Sequence, residues 1–332
     1  MHTHVIGVGG YLPEHVMSND DLARIVDTSD TWIRERTGIT QRHIIAKDEY
    51  TSDLATRAGA QALEDAGITI DDIDAIVVAT TTPDMVFPST ASMVQHKLGG
   101  RGFPAWDIQA VCSGFVYGLA QVDGMMRGGM FKRVLLIGAE SMSRILDWQD
   151  RNTCVLFGDG AGAVVLEARD EEGGVIGSVL HCDGSYRDLL LAKHAHPGAS
   201  PHRNRLEMNT DAAGVAAVQM KGNEVFRFAV TKLGEVVEEV LEVCGVRQDE
   251  LDWLVPHQAN IRILNATAKK LGLSTEQVAL TVAKHANTSA ASVPLALNDI
   301  YRAGKVKQGQ MLLFEAFAGG FAWGANLVKW SK

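Results

Sequence analysis

Runs of consecutive apolar residues alternate along this chain with stretches in which apolar residues recur every three or four positions. Residues 73–80 (IDAIVVAT) are continuous and rich in β-branched side chains, the pattern of a strand buried on both faces. Residues 134–138 and 163–166 share that pattern, whereas 52–66, 89–98 and 113–127 have helical spacing. The alternation predicts an α/β fold with central strands and helices outside. No Pro/Ser-rich linker divides the chain. The one shift in composition is 192–214, rich in His, Pro, Asn, Gly and Ala, which reads as a long exposed loop with a functional part.

The pattern also repeats. Ala62-Leu63-Glu64-Asp65-Ala66-Gly67-Ile68 resembles Val240-Leu241-Glu242-Val243-Cys244-Gly245-Val246, an offset of 241 − 63 = 178. At that offset Asp71-Asp72-Ile73-Asp74 faces Asp249-Glu250-Leu251-Asp252, and Ile76-Val77-Val78 faces Leu254-Val255-Pro256. Each copy reads as a helix, a Gly cap, an acidic turn and a buried strand. With small gaps, Cys112-Ser113-Gly114 faces Asn287-Thr288-Ser289, residues 134–138 face 311–315, and 162–165 face 324–327. The expectation is two similar βαβαβ-type halves, 1–170 and 171–332, related by a pseudo-twofold axis. The second half holds the loop 192–214, and loops of both halves meet in one site.

Composition narrows the function. Apolar residues at 46% and charged residues at 21% are ordinary globular values. Net charge is −9, which counts against nucleic-acid binding. No apolar run is long enough to cross a bilayer, and the first residues lack the pattern of a signal peptide. The four cysteines form no C-x-x-C pair and are expected as reduced thiols in a cytoplasmic protein. His194, His196 and His202 lack metal-site spacing and read as solvated loop residues, so no metal is expected.

Three polar residues stand at the ends of buried segments. Cys112 falls where a strand gives way to a helix, a position that favours thiolate through the helix dipole. A buried structural thiol fits that position equally well. His257 follows the apolar run 253–256, and strand ends open onto crevices; a hydrogen-bonded core histidine is the alternative. Asn287 reads as a helix N-cap or as a site residue facing Cys112 across the repeat. Gly158-Asp159-Gly160-Ala161-Gly162 leads into a strand and is no phosphate cradle. Ala318-Gly319-Gly320-Phe321 is a tight connection or a source of backbone oxyanion donors.

Taken together, Ala110-Val111-Cys112-Ser113-Gly114-Phe115, Pro256-His257-Gln258-Ala259-Asn260, Asn287-Thr288-Ser289 and Gly319-Gly320-Phe321-Ala322-Trp323-Gly324 resemble the β-ketoacyl-acyl-carrier-protein synthase III family. Asp27-Thr28-Ser29-Asp30-Thr31-Trp32-Ile33, Arg36-Thr37-Gly38, Thr80-Thr81-Thr82-Pro83-Asp84, Phe87-Pro88-Ser89-Thr90 and Leu156-Phe157-Gly158-Asp159-Gly160-Ala161 extend the resemblance nearly end to end. It implies a duplicated thiolase-like fold and a decarboxylative Claisen condensation, in which a short acyl group, acetyl above all, passes from coenzyme A to Cys112. Malonyl on acyl carrier protein then loses carbon dioxide and attacks the acyl-enzyme, initiating fatty-acid synthesis. No cofactor is called for.

The resemblance assigns catalysis to Cys112, His257 and Asn287, and the oxyanion donors to the backbone N–H groups of Cys112 and Gly319. It places coenzyme A against Trp32, Arg36, Arg151, Asn223 and Asn260. Phe157 would line the chain's own acyl pocket and Phe87 that of a partner in a homodimer. Arg262, Lys269 and Lys270 would meet the acidic carrier protein, although a solvated helix face explains the lysines as well. Two departures bear on these expectations. Ala318 stands where many members have glycine, and would be strained if that position needs a positive φ. The loop 192–214 looks longer than in compact members. The alternative function is a condensing enzyme of secondary metabolism with an aromatic or longer acyl primer. A non-catalytic carrier-binding subunit is disfavoured by Cys112, and a degradative thiolase by the lack of a second cysteine near Gly319.

Overall fold

The apolar runs build two sheets. The first half of the chain lays down β1 (His2–Tyr11), the small pair β2 (His15–Ser18) and β3 (Gln41–Ile44), then β4 (Ala75–Ala79), β5 (Ala105–Ile108), β6 (Arg133–Ser141) and β7 (Asp159–Arg169). Its helices are α1 (Asn19–Leu22), α2 (Asp30–Thr37), α3 (Thr51–Ala66), α4 (Thr90–Lys97) and α5 (Gly114–Arg127). The second half follows with β8 (Gly174–Cys182), β9 (Leu190–Ala192), β10 (Val218–Met220), α6 (Gly222–Cys244), β11 (Trp253–Pro256) and α7 (Ile261–Lys270). It ends with α8 (Val282–His285), α9 (Ser292–Arg302), β12 (Met311–Ala318) and β13 (Ala322–Lys329). This computed structural model describes residues 1–192 and 217–332. The expected loop 192–214, with His194, His196 and His202, lies outside the described residues except for Ala192, which ends β9.

Strands β1-β7-β6-β4-β5 form one sheet and β11-β12-β13-β8 the other, in those orders. Helices α5 and α9 pack against strands of both sheets, α3 and α4 cover the outer face of the first, and α6 covers that of the second. The sequence explains who goes where. On α3 the buried positions Leu54, Ala55, Ala58, Ala62 and Leu63 make one stripe, as a helix with one wet face requires. On α5 Phe115, Val116, Leu119, Val122 and Met126 are all buried, which suits a helix held between two sheets. Close approach fixes the glycine at its start: a Cβ on Gly114 would lie 3.1 Å from Ala79 Cβ and 3.2 Å from Ala290 Cβ.

The duplication extends to single hydrogen bonds. Gly67 and Gly245 end α3 and α6 in the left-handed region, at φ 68° and 66°. Asp74 accepts from the N–H of Arg133 at 2.8 Å, and Asp252, 178 residues on (252 − 74), accepts from that of Met311 at 2.7 Å. The same offset holds at the inner helices. Val111–Ser113 forms a 3-10 turn into α5, and Ser289–Ala291 forms one into α9, with φ 49° at both Val111 and Ser289. This corrects the gapped alignment: the residue equivalent to Cys112 is Ala290 (290 − 112 = 178), not Asn287. Opening a gap to match a polar residue to the cysteine misplaced the turn by three positions.

Candidate active site

One cavity of about 490 Å³ has Cys112, His257, Asn287 and Phe157 in its walls. Cys112 is buried in the turn before α5, packed with Ala318 and Ala322. Ser113 Oγ donates to Ala322 O at 3.0 Å, which ties that turn to β13. The expected thiolate does not hold at rest: burial pushes the Cys112 thiol up to about 12. A helix terminus is worth only about 0.3–1 kcal/mol near the surface, less than desolvating a thiolate costs here. Ala318 is the last residue of β12 and is absent from the non-glycine residues with positive φ, so the departure from glycine brings no backbone strain.

His257 leaves the end of β11, its N–H donating to Glu315 O at 2.8 Å. Its Nδ1 lies 2.6 Å from Ser292 Oγ. That oxygen also accepts from Gln258 N at 3.3 Å, and among the described residues Nδ1 is the one acceptor bonded to it that can take the serine proton, which places the ring proton on Nε2. Burial depresses the imidazole to about 3, which keeps it neutral. Asn287 is bolted to the first half of the chain: its N–H donates to Leu156 O at 2.9 Å, and Gly158 N donates to its carbonyl at 3.0 Å. Its Oδ1 accepts from Ser289 N at 2.9 Å, which leaves the amide NH₂ for the cavity. The site therefore holds a thiol and two neutral N–H donors.

Toward solvent, Trp32, Arg36, Asn223, Asn260 and Arg262 line the same cavity. The guanidinium groups of Arg36 and Arg151 stand 4.4 and 5.1 Å from the centre of the Trp32 ring. Asn260 caps α7 through Arg262 N at 2.8 Å and donates to Arg36 O at 2.9 Å. Phe87 is not brought to this cavity; it is 83% exposed, beside Val86 at 81%. The basic residues expected to meet the carrier all lie on α7, with Arg262 and Lys269 seven residues apart on the same face. Arg262 opens α7 at the cavity, whereas Lys269 and Lys270 close it, about 10 Å further along at 1.5 Å per residue. Lys270 is paired with Glu238 at 3.0 Å.

Sequence reading missed the residues behind the trio: Ser292, Ser289 and Glu140. Glu140 lies within β6, one residue before its end and fully buried, and accepts from Ser289 Oγ at 2.9 Å. The strand-end rule that singled out His257 would have picked it. The serines give no signal, because their partners are remote in sequence.

Models of the 3-oxoacyl-[acyl-carrier-protein] synthase III family match residues 106–184 and, for its C-terminal part, 241–330. The first span carries Cys112; the second carries His257, Asn287 and Gly319. A β-ketoacyl-[acyl-carrier-protein] synthase III of Xanthomonas campestris pathovar campestris is 53% identical over 330 residues, 99% of each chain. Among solved structures, a 3-oxoacyl-[acyl-carrier-protein] synthase III from Aquifex aeolicus is 44% identical with a TM-score of 0.91, covering 99% of this chain and 100% of its own. A priming β-ketosynthase of a polyketide biosynthetic pathway reaches the same TM-score, 0.91, at 32% identity, covering 100% of this chain and 97% of its own. With its duplicated thiolase-like fold and these full-length relatives, the chain belongs to the β-ketoacyl-acyl-carrier-protein synthase III family.

Proposed function

We propose that this protein condenses a short acyl-CoA, acetyl-CoA above all, with malonyl-acyl-carrier-protein to give 3-oxoacyl-acyl-carrier-protein and so initiates fatty-acid synthesis. The observation that carries the reading is the meeting of one thiol and two neutral N–H donors in one cavity. Cys112 attacks the acyl thioester, and the oxyanion is held by the N–H groups of Cys112 and Gly319. Coenzyme A leaves and the malonyl carrier takes its place. Loss of carbon dioxide leaves an enolate, whose oxygen accepts from His257 Nε2 and the Asn287 amide. The enolate carbon attacks the acyl carbonyl, and Cys112 is released. Decarboxylation generates the carbanion, so no strong base is needed at the enolate; the neutral state of His257 suits a donor.

In this reading Trp32 and Arg151 hold the adenine, Arg36 the phosphates, and Asn223 and Asn260 the pantetheine. Arg262 steers the acidic carrier to the mouth, with Lys269 further out. A homodimer accounts for the bare Met85, Val86 and Phe87, with Phe87 entering the partner's acyl pocket, and for the open edge of β5. The functional division falls at 170/171, between β7 and β8. The cytoplasm is the compartment implied, in keeping with four free cysteines. The polyketide relative favours a second reading, with an aromatic or longer primer, since fold similarity is equal for both. Acyl transfer from a panel of coenzyme A thioesters, with malonyl carrier as acceptor, decides. Preference for acetyl supports the first reading; preference for an aromatic or long acyl group replaces it.

A further inference from the structure

Gly319, the proposed oxyanion donor, sits in a connection with little stiffness of its own. Gly319-Gly320-Phe321 joins β12 to β13, whose facing ends Ala318 and Ala322 are paired. Two adjacent glycines leave a backbone wide conformational freedom. An oxyanion donor is effective only if its direction is set before the charge develops. The restraint comes from outside the connection. On one side Ser113, the residue after the thiol, donates to Ala322 O at 3.0 Å. On the other side β8 ends at Cys182, opposite Ala322. The next residue, Asp183, exchanges both backbone hydrogen bonds with Phe321, each at 2.8 Å.

A short turn carries this second restraint onto an aromatic ring. Asp183 O also accepts from Tyr186 N at 3.4 Å, and Asp183 Oδ1 accepts from Ser185 N at 2.9 Å and Ser185 Oγ at 2.6 Å. The turn so closed lays the Tyr186 ring almost parallel to that of Phe321, at 9° with centroids 5.4 Å apart. Phe228 on α6 packs against both rings, at 4.4 and 4.9 Å. Phe317 lies 4.7 Å from Phe321 on its other flank. Phe321 is fully buried under these rings, whereas Tyr186 is half-buried. Four residues beyond Tyr186, Leu190 O stands against Gly319, where a Cβ would lie 2.9 Å from it. The segment 183–190 thus touches the connection at both ends, at Phe321 and at Gly319. The cavity wall holds Leu190 and Phe317 but not Tyr186, so the tyrosine acts from behind the site.

We propose that Tyr186 is a positioning residue for acyl transfer: stacked on Phe321, it fixes the direction in which the Gly319 N–H meets the thioester oxygen. The inference rests on the reading of Cys112 as the acyl carrier and of Gly319 as a donor. Tyr186 then matters to every step that builds charge on that oxygen. These are the attack of Cys112 on the acyl thioester and the attack of the enolate on the acyl-enzyme. Steps without such charge are indifferent to it. Alkylation of Cys112 by iodoacetamide is one, since sulphur displaces iodide at a saturated carbon and the thiol proton goes to solvent. Short and long acyl groups present the same thioester oxygen, so the tyrosine serves them equally. A residue in the wall of the acyl pocket would discriminate among them.

Single-turnover acylation of Cys112 is followed by intact mass with acetyl-, butyryl- and octanoyl-CoA in the unsubstituted protein, Tyr186→Ala, Tyr186→Leu and Tyr186→Phe. Losing a whole oxyanion donor costs about 10²–10³-fold, and a donor loosened but not removed should cost about 10–100-fold. Tyr186→Ala and Tyr186→Leu should show that loss by a common factor on every acyl donor the parent accepts. The loss should lie in the rate at saturating acyl-CoA and not in the half-saturating concentration. Tyr186→Phe keeps the stacked ring and should acylate within about threefold of the parent. Iodoacetamide labelling of Cys112 should run at the parental rate in all three variants. Tyr186→Leu decides alone if Tyr186→Ala does not fold. Parental acylation in Tyr186→Leu overturns the proposal. So does a loss matched by equally slow alkylation, which would make Tyr186 a general support of the fold. A loss that changes with acyl length overturns it as well, by placing Tyr186 in the pocket wall, and an equal loss in Tyr186→Phe would move the role from the ring to the hydroxyl. An unacylated Cys112 in the parent is a separate result, and sinks the condensing reading itself.

Discussion

The two turns that open the inner helices share a backbone and almost none of their chemistry. Val111-Cys112-Ser113 and Ser289-Ala290-Ala291 are both 3-10 turns with φ 49° at the first residue. At the common offset of 178, Cys112 stands opposite Ala290 (290 − 112), Ala79 opposite His257 (257 − 79), and Glu140 opposite Ala318 (318 − 140). The duplicated geometry supplies two mouths that converge. Each half then keeps reactive groups where the other has a methyl. Asn287 departs from that pattern, with Gln109 opposite it (287 − 109), and the pair of halves builds one asymmetric site rather than two symmetric ones.

The largest test of that asymmetry is to remove the thiol and offer it on the other side. Cys112→Ala should abolish the covalent adduct formed with acetyl-CoA, measured by intact mass. Adding Ala290→Cys should not restore it, because residue 112 lines the cavity with His257 and Asn287 and residue 290 does not. An adduct at residue 290 in the double variant would mean that the two turns are chemically interchangeable.

A smaller loss separates the strand-end donors from the thiol. His257→Ala, which restores the residue type of its counterpart Ala79, and Asn287→Ala should both still acylate from acetyl-CoA. Condensation should fall by about 10²–10³, the scale of losing one oxyanion donor. If both variants fold and neither acylates, these residues act on the thiol and the division of labour is wrong.

The sequence carried the duplication well where the backbone needs a residue type to make it. Gly67 and Gly245 announce left-handed caps, and Asp74 and Asp252 announce the turns that receive β6 and β12. It failed at Val111 and Ser289, which adopt the left-handed region without being glycine, asparagine or aspartate. Nothing in their side chains marks the turn, so the gap was set by the polarity of Asn287 instead. The trio was legible because each member ends or precedes a buried segment. The hydrogen bond from Ser289 to Glu140 was not, since the two lie 149 positions apart in sequence. The resting state of Cys112 was misread for a related reason: position along the chain suggests a helix dipole, but only the fold sets the depth of burial.

A third contrast concerns Glu315, whose counterpart is Ile137 (315 − 137 = 178) in a strand of the same register. Both of its carboxyl oxygens are buried without a hydrogen-bond partner among the described residues. Burial raises it from 4.5 to about 8. A raised folded value means that the native state holds a proton the unfolded chain releases. The stabilising contribution is therefore complete below pH 4.5 and lost as pH rises to about 8. Urea unfolding of the parent should include a fall approaching about 1.4 kcal/mol per pH unit in that window. Glu315→Gln should lack this component, so its stability relative to the parent should grow with pH. A difference that does not vary with pH would show that Glu315 finds a partner or water that keeps its ordinary titration.

The smallest effect probes the contact between the two turns themselves. A Cβ on Gly114 would lie 3.1 Å from Ala79 Cβ and 3.2 Å from Ala290 Cβ, both on short side chains that cannot swing away. Gly114→Ala should therefore destabilise by about 1–3 kcal/mol through overpacking, less whatever alanine returns at a helix start. Ala290→Gly removes one of the two obstacles and costs about 1 kcal/mol or less by itself, since a lone methyl is lost and glycine tolerates neighbouring positive φ. If the turns press on each other, the double variant should be more stable than the sum of the single changes, with a coupling of about 1 kcal/mol. Ala79, untouched, keeps the relief partial. Additivity within about 0.5 kcal/mol would mean that the halves accommodate a methyl between them. The glycine at the start of α5 would then be free to change without consequence for how closely Cys112 is held to the second half.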